Sequence, residues 1–132
     1  MTTETKVVKI SLREMAATAM CADEAKLGHK TVQPGEVPWL PANEWIKPCC
    51  ISITPKGEVR LVAIQAIHPG KGAFRRLVEA IERENMIPVV VCPMGRRMRE
   101  IMTHWDWQRS VRIMLDGEFV EEFRPPTKVQ QE

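Results

Sequence analysis

The chain has 132 residues, 44% apolar and 27% charged, which suits one domain with one modest core. Nineteen basic against seventeen acidic side chains leave a formal charge of only +2, so net charge makes no case for nucleic acid. No run approaches the ~20 apolar residues that span a bilayer, no signal-peptide pattern is present, and the four cysteines form no CxxC pair. The expectation is a cytoplasmic protein in a reducing setting, with no metal site and no membrane partner.

VVKI (7–10) reads as a short first strand. Ser11 with Glu14 fits a capping box, and Leu12, Met15, Ala16, Ala19, Met20 and Leu27 predict a helix that Gly28 ends. Residues 29–48, HKTVQPGEVPWLPANEWIKP, carry four of the ten prolines and two tryptophans. Proline removes a ladder donor and restricts its predecessor, so the segment reads as a packed loop with one short helix after Asn43, or as a cover over a cleft.

CCISIT (49–54), PKGE and VRLVAIQAI (59–67) predict a hairpin. A glycine turn follows in IHPGKGAFRRLVEAI (67–81), then a helix with Phe74, Leu77, Val78 and Ile81 on one stripe. MIPVVVCP (86–93) fits a buried strand. A second helix from Gly95 turns Met98, Ile101, Met102 and Trp105 inward, and SVRIML and EFVEEF flank an Asp-Gly turn as a last hairpin. The order predicts an α/β chain with a mixed sheet flanked by helices, one domain over residues 1–123 and a tail over 124–132.

Charge is distributed unevenly along this order. Residues 70–99 hold seven Lys or Arg against three Glu, while 100–132 hold four basic and seven acidic residues. The positive centre suits a compact polyanion or a pair of ordinary solvated helix faces. Aromatic residues do not interleave with these charges except at Phe74, which periodicity turns inward, so base stacking has no support.

Glycine at Gly70 and Gly72 allows a sharp corner into the helix and close approach to the main chain. First-turn N–H groups lack intrahelical partners and the helix dipole favours negative charge, so the corner either holds phosphate or only turns the chain. Neither GxxxxGK[ST] nor GxGxxG is present.

GKGAFRRLVEAI, then PVVVCP, a helix and Trp-Asp-Trp together resemble the acyl-CoA-binding core of the GNAT superfamily of N-acetyltransferases. The resemblance spans residues 59–123, and residues 1–58 follow the family only in element order. It implies a mostly antiparallel central sheet with a splayed pair of parallel strands and acetyl-CoA (or CoA) as cofactor. Gly72 falls at the first motif glycine, Phe74 at the second, and Pro69 where Arg or Gln is usual. In a second registration Gly70 and Gly72 take the two glycines and Ile67 the Arg/Gln position. By resemblance, amides from Gly70 through Lys71, Gly72 and Ala73 to Phe74 meet the pyrophosphate, and the acyl carbonyl lies near the backbone of Ala66, Ile67 and His68. Lys71, Arg75 or Arg76 one turn on, and Arg97 of the next helix supply charge.

For acyl transfer to an amine, His68 has a suitable unperturbed pKa for moving a proton, and Gln65 can orient a water. Glu44 is a candidate acceptor of the amine proton, while Cys92 and His104 are candidates for the thiolate side. The family often uses a tyrosine there, and this chain has no tyrosine. The expected acceptor is an amine-bearing small molecule or protein, and a monomer or homodimer fits equally. The alternative reading is a non-catalytic GNAT-fold module that binds or inhibits another protein, similar to the small accessory proteins of phages.

Overall fold

The structure, a computed structural model, describes residues 12–92, 96–113 and 117–126. The strand expected at 7–10 and the Ser11 cap lie outside them. In chain order come α1 (Leu12–Lys26), β1 (Lys30–Val32), β2 (Cys50–Ile53), β3 (Glu58–Ala63), α2 (Ala73–Arg83), β4 (Ile87–Val91), α3 (Arg96–His104), β5 (Gln108–Ile113) and β6 (Phe119–Arg124). No helix among the described residues is long and apolar enough to cross a membrane.

The strands form one sheet in the order β1-β2-β3-β4-β6-β5, antiparallel throughout except for β3 and β4. The single parallel pair follows from α2, which carries the chain back across the sheet between them; a parallel neighbour needs such a crossover. This is the mixed, mostly antiparallel sheet expected from the sequence. Strand β3 is shorter than the apolar run suggested, ending at Ala63, and β6 reaches Arg124, one residue into the expected tail. The helix expected after Asn43 is a turn closed from Glu44 N–H to the Pro41 carbonyl, because prolines on both sides leave too few residues for a second bond.

Alternation along the strands separates two very different faces. Ile51, Val59, Leu61, Val90 and Phe123 point to one side and join Leu77, Val78 and Ile81 of α2 and Met102 of α3 in the apolar core. On the other side Ser52, Arg60 and Glu122 are buried beneath α1. Arg60 donates to Glu24 at 2.6 Å and to Glu122 from its other branch, and Ser52 Oγ donates to the same Glu24 oxygen at 2.6 Å. Arg124 adds a contact to Glu122 at 3.1 Å and pairs with Glu58.

This ionic face explains why α1 is rotated from its expected orientation. Among the described residues of α1, Ala17 and Glu24 are buried, while Met15 and the following Leu27 are more than half exposed. The helix presents a carboxylate to Arg60 because an unpaired guanidinium under a helix costs several kcal/mol. Burial pushes the Glu24 and Glu122 carboxyls up, but hydrogen bonds and charge from Arg60, aided by Ser52 at Glu24 and by Arg112 and Arg124 at Glu122, hold both below the usual carboxylate range.

A depressed folded pKa means that stability is fully present above the unfolded value and is lost as pH falls through the folded one. Urea unfolding from pH 7 towards pH 3 should therefore show stability falling below about pH 4.3, the ordinary glutamate value. Glu122→Ala should cost about 3 kcal/mol at pH 7 and flatten that acid limb.

Candidate functional site

Strands β3 and β4 pair only from Glu58↔Ile87 to Leu61↔Val90. Beyond those rungs they part. A register shift opposite Cys50 and Ile51 leaves an extra residue in β3 between Leu61 and Ala63, and such a bulge bends and twists the strand that carries it. Past the bulge β3 continues against the Trp/Pro loop, through an isolated bridge between Trp45 and Ala66 flanked by Ile46 N–H to Gln65 O and Ile67 N–H to Glu44 O, each 2.9 Å. Strand β4 stays with β6, where Cys92 N–H donates to Glu121 O.

Those flanking bonds make Trp45 and Ala66 a non-hydrogen-bonded pair. Their side chains share a face, and their own N–H and C=O groups point away from each other. The Ala66 amide thus faces the side on which β4 has departed.

The chain then turns through Gly70 and Gly72, both near φ +79°, into α2. Gly72 is the N-cap, with no side chain capping the first turn. No main-chain N–H from His68 to Arg75 donates to an acceptor among the described residues. The corner therefore presents a run of open donors at the positive end of a helix dipole. Arg76 staples it from behind, donating to Lys71 O at 2.7 Å and to the Glu44 carboxylate at 2.8 Å.

A cavity of about 390 Å³ opens in front of the corner. Its floor is Trp45, Ile64 and Ala66, one wall is His68 to Gly70 with Gly72 to Arg75, and Arg97, Met98, Ile101 and Trp105 of α3 and its C-terminal turn close the other. The Phe74 ring does not block it. It stacks on Trp105 at 5.5 Å between centroids and tilts against Trp107, so the bulk at this position is drawn towards the end of α3. Asp106, in the left-handed region at φ 56°, ends α3 and returns Trp107 N–H to Met102 O, which brings the two indoles together.

The candidates from sequence divide accordingly. Gly70, Gly72, Ala73, Phe74, Arg75, Arg97 and His68 all border the cavity. Lys71 joins Glu44, His68, Ala73 and Arg76 around a smaller hollow of about 300 Å³ on the other side of the corner. Arg75 lies over the Trp105 ring at 5.5 Å, and Arg76 is committed to Glu44. Ile67 and Gln65 serve the loop bridge through their backbones and border neither space, and neither do Cys92 or His104, both exposed.

Periodicity had marked Met98, Ile101 and Trp105 as inward-facing, but it does not distinguish a core from a cavity wall. Ile64 carried no signal of its own, while Trp45, in the loop read as a possible cleft cover, and Pro69, at the motif's Arg/Gln position, both line the cavity. No family model, curated protein or solved structure matches this chain.

Gly72→Ala should cost about 1 kcal/mol in urea unfolding, because an L side chain is strained in the left-handed region. The new methyl would also meet the Arg76 guanidinium at 3.2 Å. Gly35→Ala, at φ +92°, serves as the comparison for a left-handed glycine outside the corner.

Proposed function

We propose that the chain binds an acyl-CoA at the glycine corner and transfers the acyl group, in the first instance acetyl, to the nitrogen of a primary amine. The observation that carries this reading is the run of open amides from Gly70 to Arg75, uncapped and continuous with an apolar cavity where two parallel strands part. A diphosphate suits such amides, and Arg97 stands beside Gly70, its Nη2 3.4 Å from where a Cβ would lie. The apolar walls of Ile64, Ala66, Met98 and Ile101 suit a pantetheine-like arm, and the resemblance to the GNAT superfamily joins these parts into one ligand.

In this reading the Ala66 N–H faces the gap and donates to the thioester oxygen, the atom that gains charge as the amine adds. The amine nitrogen bonds to the carbonyl carbon, the C–S bond breaks, and the sulfur leaves as thiol with the proton that His68 relays from the nitrogen. His68, exposed at the cavity mouth, takes the proton that the new amide nitrogen gives up. Positioning supplies most of the gain, so one weak base suffices.

The second reading, a non-catalytic module that binds or inhibits another protein, is favoured by a different observation. The Glu44 carboxylate is tied to Arg76, and Gln65, Cys92 and His104 stand outside the cavity. Val111, Ile113 and Phe119, at 45%, 68% and 70% exposure, offer an apolar strip on the edge hairpin.

Titration calorimetry with acetyl-CoA separates these readings when followed by a product assay across a panel of amines. Acetyl-CoA should bind, Arg97→Ala should weaken it about tenfold, and N-acetylated product should form with at least one amine. Absence of heat and of thermal shift at millimolar acetyl-CoA would overturn the acyl-CoA reading. Binding without product from any amine favours the second.

A further inference from the structure

Trp45 is 3% exposed and forms part of the floor of the main cavity. Among the described residues its indole Nε1 is the one buried side-chain polar atom without a hydrogen-bond partner. A buried N–H left unpaired costs about 1–3 kcal/mol, and native chains pair nearly all such groups. The cost is built in at a rigid point, since backbone bonds on both sides of Trp45 fix it against Gln65 and Ile67.

The side chains around it on the cavity floor are mostly apolar, and the lining side chain that could accept, His68, makes no hydrogen bond to it. Ala66, across the bridge, and Ile64 are apolar, and so are Met98 and Ile101 on the facing helix. Since no acceptor is in place among the described residues, an occupant of the cavity that Trp45 lines can supply one.

We propose that the Trp45 indole N–H donates a hydrogen bond to a carbonyl oxygen of the ligand in the main cavity, making Trp45 a ligand-binding residue. This rests on the acyl-CoA reading and names the chemistry the cavity floor selects: an arm that carries a neutral carbonyl beside apolar methylenes, either an amide or a thioester. The nitrogen is buried in the structure, so the ring has to turn slightly towards the ligand to make the bond. Ligand binding and a change at the indole are thereby coupled.

Nitrogen-15 labelling of the four tryptophans gives indole N–H resonances that can be followed one by one, and Trp45→Phe assigns the Trp45 signal by its loss. CoA, which has amide carbonyls only, and acetyl-CoA, which adds a thioester, are titrated separately. The expected result is a downfield move of the Trp45 proton. A move with both ligands assigns the partner to an amide, and a move with acetyl-CoA alone assigns it to the thioester.

Trp45→Phe should weaken binding of the ligand that moves the signal about tenfold, the value of one buried neutral hydrogen bond. Because phenylalanine also leaves a gap in the floor, benzothienylalanine at position 45, which keeps the shape and lacks the N–H, should give the same loss. If the coenzymes bind while the Trp45 signal stays still and both replacements bind within twofold, this inference falls and the acyl-CoA reading stands. If neither coenzyme binds, both fall.

Discussion

The parting of β3 from β4 is the constraint on which the rest of the molecule depends. Parallel neighbours normally continue until one strand ends, because a backbone group withdrawn from its ladder needs another partner. Here the bulge opposite Cys50 turns β3 away after four shared rungs, and the Trp/Pro loop takes up its other edge through the Trp45–Ala66 bridge. One side of β3 is thereby satisfied, and the side that β4 has left is not. The cavity exists because no further strand fills that gap, and the glycine corner lies at its mouth because α2 begins where β3 runs out.

Holding a sheet together around such a gap requires stiffness elsewhere. The ionic face beneath α1 supplies it. Arg60 lies one residue before the last shared rung and reaches from Glu24 on α1 to Glu122 on β6, across the full width of β4. A buried pair adds little net stability over an apolar one, but its geometry is directional and its rupture is costly. Apolar side chains in the same place would tolerate slippage between β3 and β6. The charged bridge does not, and it sits where the two strands are about to separate.

Much of this architecture was legible in the sequence. The Pro-Lys-Gly turn, the 74-77-78-81 stripe, the proline-bounded Val run and the final hairpin each follow a local periodicity, and each forms the expected kind of element. Less of the site could be read. The glycine corner announces itself because Gly70-Lys71-Gly72 concentrates the only residues that adopt its backbone freely. The role of Trp45 depends on a bridge to Ala66, twenty-one positions away, and no periodicity reports that pairing. The orientation of α1 was misread for a related reason. Its apolar residues suggested an apolar contact, whereas the surface it covers is set by Arg60, a charge that alternation alone assigns to a face without saying what must meet it.

Phe74, at the start of α2, and Trp105-Asp106-Trp107, at the end of α3, act together. A phenylalanine at the second position of α2 would obstruct the corner amides if its ring lay over them. Trp105 removes it by stacking, and Trp107 closes the far side at 6.4 Å, a placement that needs the left-handed Asp106 to reverse the chain within one residue. The three rings form a block joining the start of α2 to the end of α3, with the Arg75 guanidinium over one end. Phe74 thereby makes a contact between the two helices that border the cavity. Glycine at 74, or loss of Trp105, would remove this contact and leave the two helices held by their packing in the apolar core. The aromatic cluster thus braces the two helices that border the cavity.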